Sequence, residues 1–304
     1  MRLRPPDADD IEAVCAVIVA RDIADFGEPD FALADLRDEW SASEFDLKAD
    51  AVIAEHQAGE VVAYAAVRRR GSLVSMHPEY ETMELGEQLL RWAEQQERER
   101  DLGRAVHRQW VGAGDSLGTR LLFAAGYHHV RSYRRMVRDL GQVDPWPVPD
   151  GIRLRPIEVE RDAPALHAVD GAAFSSLPDF TPGSLAGFTE EHLRAHDTSP
   201  ALSLAAMDGE AIVGFLLTRR WQDHVGFVDI LAVHPSHQRR GLGGAMLSHA
   251  FASYATAGLR EAQLGVASDN PRALSLYARL GMRVKFHADT YEKPVAVVPG
   301  REPG

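Results

Sequence analysis

The sequence predicts an α/β (α+β) protein of two tandem domains, each a mixed, largely antiparallel sheet flanked by helices. Three observations carry this. The chain repeats a set of landmarks once, at offsets of 150 to 157 residues; a proline-rich stretch separates the copies; and strand-like runs alternate with helical ones in the second copy. A length of 304 residues also favours two domains over one, at roughly 100–200 residues per domain.

The repeat is read from four ordered landmarks. Arg2-Leu3-Arg4-Pro5 returns as Arg153-Leu154-Arg155-Pro156, and Gly59-Glu60 returns as Gly209-Glu210. His77-Pro78 returns as His234-Pro235, and Gly126 matches Gly281. The period is far too long for a solenoid, so the copies are domains. Between them lies Asp144-Pro145-Trp146-Pro147-Val148-Pro149-Asp150. Prolines at alternate positions favour an extended connector without helix or strand. The predicted organisation is a first domain over 1–143, a linker over 144–150, a second domain over 151–296 and a frayed tail over 297–304.

Within the second copy the elements follow from spacing and turn chemistry. Ile152 to Ile157 reads as a strand, and Asp162 to Phe174 has helical apolar spacing. Phe174 to Phe188 is a Ser/Pro/Gly-rich loop. Leu202 to Met207 and Ile212 to Thr218 form a hairpin across Asp208-Gly209-Glu210, followed by a strand over Gly226 to Val233. Gly241 to Thr256 is helical, Gln263 to Val266 a strand, and Pro271 to Leu280 a helix. Pro271 sits in the first turn of that last helix and Gly281 at its C′ position.

Composition narrows the function. Apolar residues make up 45% and charged residues 26%, as in a soluble globular protein. No run of about 18 apolar residues is present, and the start MRLRPPDADDIEAV lacks the apolar stretch of a secretory leader. The single cysteine, Cys15, excludes a disulfide framework and a Cys-rich metal site. A cytoplasmic protein is expected. Net charge is −12; residues 1–150 hold 18 basic against 28 acidic groups, residues 151–304 hold 15 against 17. That balance argues against nucleic acid as a partner and directs a small anionic ligand to the second half.

The sharpest motif lies between a strand and a helix: Val233-His234-Pro235-Ser236-His237-Gln238-Arg239-Arg240-Gly241-Leu242-Gly243-Gly244. Its glycines allow close backbone approach, the helix start offers unpaired N–H groups, and Arg239 and Arg240 add positive charge. This is a cradle for phosphate or pyrophosphate. It matches neither GxGxxG nor the P-loop ending. His234 and His237 lack an evident carboxylate partner and read as solvated rather than as metal ligands, so no metal is expected.

These residues resemble the GNAT acyltransferase superfamily. Gln238-Arg239-Arg240-Gly241-Leu242-Gly243 matches its signature Gln/Arg-x-x-Gly-x-Gly/Ala. Asp269-Asn270-Pro271-Arg272-Ala273-Leu274-Ser275-Leu276-Tyr277-Ala278-Arg279-Leu280-Gly281-Met282 is similar to its second motif, with Met282 in place of Phe. The resemblance covers residues 151–293 and implies N-acetyl transfer from acetyl-CoA to an amine. It implies that Gln238, Arg239, Arg240, Gly241, Leu242, Gly243 and Gly244 hold the CoA pyrophosphate. Leu231, Ala232 and Val233 would pair with the pantetheine, Asn270 would hydrogen-bond the cofactor arm, and Tyr277 would be the general acid at the sulfur. Without the resemblance, Tyr277 reads equally as a core aromatic and Asn270 as the N-cap of the helix at Pro271.

An attacking amine needs a base. Many family members carry Glu at the position of Phe227 here, and another position that often carries Glu is Gly265. Strand alternation predicts that Phe227, Asp229 and Leu231 share a face. A carboxylate inside an apolar strand is costly unless paired or used, so Asp229 is either the base or amine-binding group, or the partner of a nearby arginine. Overlaying the copies at 157 puts Glu81 and Glu84 where Gln238 and Gly241 stand; at 155, Leu122 replaces Tyr277. The first domain is therefore expected neither to catalyse nor to bind CoA. Tandem domains with an altered first half are similar to the mycothiol synthase-like acetyltransferases, although Phe227 and Asp229 depart from that pattern. The expected acceptor is a small-molecule or peptide amine, and the chain a monomer or homodimer. A non-catalytic acyl-CoA sensor is the alternative from another class.

Overall fold

The computed structural model describes residues 1–42, 44–57, 59–68, 71–100, 104–176, 180, 183–221 and 224–295. The expected tail at 297–304 and part of the loop between Phe174 and Phe188 lie outside these residues. The chain forms two compact units: Met1–Tyr133 with the described part of Phe286–Gly304, and Arg134–Lys285. The proline-rich stretch 144–150 thus belongs with the second unit, and the chain from Phe286 with the first. Among the described residues, no helix is long and apolar enough to cross a membrane.

The first unit contains β1 (Arg2–Arg4), α1 (Ile11–Phe26), α2 (Leu33–Ser41), α3 (Leu47–Asp50), β2 (Ala51–Glu55), β3 (Val61–Arg68), β4 (Gly71–Met76), α4 (Met83–Glu99), β5 (Val106–Gly112), α5 (Ser116–Ala124) and the start of β6 (His128–Asp139). β1 to β4 pair antiparallel in order and β4 meets β5 in parallel. Alternation along β3 sends Tyr64 and Ala66 into the core beside Val14, Ile18 and Leu36, and Ala63 and Ala65 into a second core with Leu85 and Leu89 of α4. The final strand of the chain, Arg283–Pro294, pairs antiparallel with β5 from Ala288↔Gly112 to Pro294↔Val106. That pairing is why the C-terminal stretch groups with the first unit.

The second unit contains the end of β6, β7 (Ile152–Pro156), α6 (Val159–Phe174), α7 (Leu185–Phe188), which runs into a π-helical turn at Thr189–Leu193, β8 (Leu204–Asp208), β9 (Ala211–Trp221), β10 (Val225–Val233), α8 (Leu242–Thr256), β11 (Glu261–Ala267) and α9 (Pro271–Arg279). The strand order is β6-β11-β10-β9-β8-β7. β7 to β10 are antiparallel, and β10 and β11 are parallel. The predicted strands and helices of this copy are all present, with ends shifted by a few residues. α8 is apolar nearly all round and correspondingly buried, from Leu242 to Tyr254. The stretch before β7 is pinned to α8: the Trp146 N–H donates to Ser248 Oγ at 2.8 Å, and His249 Nε2 donates to the Trp146 carbonyl at 3.1 Å.

The repeated Arg-Leu-Arg-Pro builds the same clamp in each unit. Arg4 donates twice to Asp10 (2.7 and 2.8 Å), and Arg155 donates twice to Asp162 (2.6 and 2.8 Å). Burial pushes the Asp162 carboxyl up, but Arg155, the Glu158 N–H and Arg161 outweigh it and bring it down to about 2. A folded-state value below the unfolded one stabilises the fold above about pH 4 and stops doing so as pH falls toward 2. Asp162→Asn is therefore expected to cost about 2 kcal/mol at pH 7, and little at pH 2. Urea titration at the two pH values checks this; an equal cost at both would contradict it.

Candidate active site

The site is built where β10 and β11 part. Their parallel ladder runs from Val225↔Glu261 to Val228↔Leu264 and stops, while β10 continues along β9 to Val233↔Gly214. Among the described residues, the β10 edge from Asp229 to Val233 is thus left without a strand partner on the β11 side. Such an edge accepts an extended, amide-bearing chain by backbone hydrogen bonds. Leu231, Ala232 and Val233, predicted from sequence, all lie on it.

A β-bulge starts this edge. The register with β9 jumps from Val228↔Thr218 to Ile230↔Leu217, so Asp229 is the extra residue. The jump reverses which residues face each side. Val228 packs in the α8 core; beyond the bulge Leu231 and Val233 join that core, while Ile230 and Ala232 pack with α6. The expectation that Phe227, Asp229 and Leu231 share a face is corrected here. The bulge inserts one residue, and Leu231 turns to the other side.

β10 leads through a short 3₁₀ turn, Pro235–His237, to α8. Arg239 (φ 62°) and Gly241 (φ 85°) both adopt left-handed backbone. Successive residues in such a turn aim N–H groups into one concavity, and the first N–H groups of α8 and its positive dipole end lie beside it. The exposed Arg239 and Arg240 side chains flank it. Gln238 supports the turn, since its Nε2 donates to the Val233 carbonyl at 3.0 Å. A Cβ on Gly243 would lie 3.8–3.9 Å from Leu231, Val233 and Leu276, which places this glycine at the throat between β10 and α9. Gly244 has a packing reason of its own: a Cβ there would come within 2.7 Å of the Trp146 ring. Leu242 buries its side chain in the core and offers only its N–H. His237, read as solvated, instead pairs its Nε2 with Asp208 at 3.0 Å.

α9 supplies two more predicted residues. Asn270 caps the helix, its Oδ1 accepting the Ala273 N–H at 3.1 Å, and the residue stays exposed. Tyr277 is the buried residue of the helix, and burial pushes its phenol up to about 12. Its hydroxyl has no hydrogen-bond partner among the described residues. It is therefore a neutral, unengaged donor at pH 7.

Asp229 is partly buried and doubly paired. His192 Nδ1 lies 2.8 Å from Oδ2, and Arg219 Nε lies 3.2 Å from Oδ1. Burial pushes the carboxyl up, but His192 and Arg219 more than compensate and hold it below the ordinary range. Arg219 also meets Asp197 at 3.3 Å, and Asp197 accepts from Trp221 Nε1 at 2.8 Å. Trp221 stacks on Phe227 at 3.9 Å, and Arg135 lies over both rings. Sequence reasoning does not reach His192, Arg219 or Trp221. The available signal is the pair of charges, Arg219 and Asp229, set in apolar strands on either side of one hairpin.

The first unit has different residues at the equivalent places. Its β4 and β5 pair at Ser72↔Gln109. The starts of α4 and α8 correspond at an offset of 159, not 157, so Thr82 stands at Gly241 and Glu84 at Gly243. Thr82 accepts the Leu85 N–H at 3.2 Å and so occupies one of the helix's free donors. Glu81 pairs with Arg21 at 2.5 Å, and Arg21 with Asp25 at 2.7 Å. Asp115 caps α5 as Asn270 caps α9, and buried Leu122 stands where Tyr277 does.

A parted pair of parallel strands leading into a left-handed turn and a glycine-rich helix start defines a coenzyme A-dependent acyltransferase fold. Residues 172–282 match the model of the family described as "Acetyltransferase (GNAT) family". A mycothiol acetyltransferase of Thermomonospora curvata is 32% identical over 245 residues, covering 78% of this chain and 73% of that protein. One from Pseudarthrobacter chlorophenolicus is 30% identical over 262 residues, covering 82% and 78%. Among solved structures, a GCN5-related N-acetyltransferase from Sphaerobacter thermophilus superposes with a TM-score of 0.81 at 27% identity, covering 99% of this chain and 97% of that one. A tandem GNAT protein from the clavulanic acid biosynthesis pathway shares the fold, with a TM-score of 0.75 at 16% identity over 98% and 99%. The chain belongs to the GNAT acetyltransferase family and is an acetyl-CoA-dependent N-acetyltransferase.

Proposed function

We propose that the second unit moves the acetyl group of acetyl-CoA to a primary amine of a small-molecule or peptide acceptor, by direct attack in a ternary complex. The observation that carries this is the continuous track from the open β10 edge, Asp229 to Val233, to the left-handed turn at Arg239 and Gly241. The N–H groups of Gly241 to Gly244 hold the pyrophosphate, and Arg239 and Arg240 attract it. The β10 edge orients the pantetheine arm, with the exposed Asn270 amide beside it. Tyr277 gives its proton to the departing sulfur, and Asp229 serves the amine side of the reaction. The first unit neither binds CoA nor catalyses: Thr82 and Glu84 replace the glycines, and Leu122 replaces the acid. The reaction belongs in the cytoplasm, where acetyl-CoA is available.

A narrower reading, that the acceptor is the cysteinyl-glucosaminyl-inositol amine of mycothiol synthesis, is favoured by relatives named mycothiol acetyltransferase. Phe227 stands against it, since the family pattern places a carboxylate there. The experiment is an acetyl-CoA assay against that amine, spermidine and a short peptide with a free N-terminus, read by product mass. An acetylated amine is the expected result. Tight acetyl-CoA binding without acetylation of any amine would favour the sensor alternative.

A further inference from the structure

We propose that His192 is the general base of the transfer, with Asp229 as the positioning residue that holds its ring. This rests on the acetyltransferase reading above. No motif announces His192; it sits in the π-helical turn after α7, and geometry brings it to the bulge.

Asp229 marks the place where the β10–β11 ladder ends. From there the open edge runs four residues to Val233, about 13 Å at the usual rise per residue, and on to the anion-binding turn. An acyl thioester held by its phosphates at the turn and laid along that edge carries its acyl end to the bulge. The bulge directs Asp229 to the side of β10 where α7 and its π-helical turn lie. There His192 Nδ1 lies 2.8 Å from Oδ2. Arg219 touches both carboxylate oxygens, at 3.2 and 3.3 Å. An ionised carboxylate only accepts, so Nδ1 is the donor and Nε2 carries the lone pair.

Three further contacts hold the ring and the turn that carries it. Buried Phe188 packs on the imidazole, with centroids 5.3 Å apart. Thr198 Oγ1 donates to the His192 carbonyl at 2.9 Å, and Arg219 donates to the Glu191 carbonyl at 2.9 Å. Among the described residues, the charged groups recorded against the ring are Asp229, with Arg219 behind it, and Glu191, whose Oε1 is 3.7 Å from Nε2 and so beyond hydrogen-bond distance. With both oxygens engaged, Asp229 is suited to orienting rather than to taking a proton. Phe227, stacked on Trp221, offers no competing carboxylate.

The step balances. The amine nitrogen bonds to the acetyl carbon as the carbon–sulfur bond breaks. The amine's proton goes to His192 Nε2, and the Tyr277 proton goes to sulfur. Loss of the His192 proton and regain of one by Tyr277 through solvent restore the site.

The test uses the full chain with His192→Gln, His192→Ala and Asp229→Asn, acetyl-CoA, and the three amines named above. His192→Gln is expected to lower kcat about 100-fold or more. Its acetyl-CoA Kd stays unchanged, and its pH–rate profile differs in shape from that of the wild type. Imidazole partly restores His192→Ala. Nitrogen-15 spectra of the histidine rings show the proton of His192 on Nδ1 in the wild type and a changed tautomer in Asp229→Asn. A His192→Gln enzyme within about threefold of wild type with an unaltered pH profile would overturn the proposal. So would a wild-type ring protonated on Nε2. If acetyl-CoA fails to bind the wild type, the acetyltransferase reading fails instead. If it binds and none of the three amines reacts, the ring spectra alone decide for or against the His192–Asp229 pair.

Discussion

Giving the second unit the first unit's helix start, by Gly241→Thr with Gly243→Glu, is expected to weaken acetyl-CoA binding at least about 100-fold. Gly241 holds φ 85°, a conformation that costs a non-glycine residue about 1–2 kcal/mol. Without that left-handed residue the turn loses the N–H direction that makes it a cradle. A threonine at the cap also takes a free helix N–H for itself, as Thr82 takes that of Leu85. Glu at 243 adds a charge at the throat, beside Leu231, Val233 and Leu276, where a pyrophosphate would be repelled. The fold should survive. A Cβ at Gly241 meets nothing within 4 Å, and one at Gly243 makes ordinary contacts. Calorimetry with acetyl-CoA checks the outcome; an unchanged Kd would show that the turn is not where the pyrophosphate sits.

Tyr277→Phe is expected to lower kcat about 100-fold or more while leaving the acetyl-CoA Kd within about twofold. The Tyr277 hydroxyl has no hydrogen-bond partner among the described residues, so its removal breaks no contact of the fold, and the ring still fills its place in the core that α8 and β11 share. What is lost, on the proposed assignment, is a proton donor for the sulfur. The sign of the pH effect follows from burial, which brings the phenol up to about 12. The acid stays protonated through the working range, so it contributes no fall in wild-type kcat below about pH 10. Loss of acetyl-CoA binding in the variant would assign Tyr277 to packing; unchanged kcat would remove the acid role.

How far the sequence reveals each feature depends on how local that feature is. The turn ahead of α8 is contiguous, Gln238 to Gly244, and its left-handed backbone at Gly241 calls for glycine, so its local shape reads directly. The hairpin at Asp208-Gly209-Glu210 and the helix bounded by Asn270 and Gly281 read for the same reason. The bulge at Asp229 does not, because no glycine or proline marks Val228-Asp229-Ile230, and without it alternation puts Leu231 on the wrong face. His192 stays hidden because its partner is 37 residues away and a π-helical turn has no sequence signature. The last strand, Arg283–Pro294, escapes a local reading because its pairing with β5 is non-local. The altered helix start of the first unit is legible in kind but falls two residues off in position, since the loops ahead of α4 and α8 differ in length.

The proposed assignment gives one chain one acetyl-CoA site, built on β10, the Arg239–Gly241 turn and α9 of the second unit. Calorimetric titration of acetyl-CoA into the wild-type chain tests it most directly. One site per chain, abolished by Gly241→Thr with Gly243→Glu, is the predicted result. Two sites per chain, or one that survives those substitutions, would contradict it.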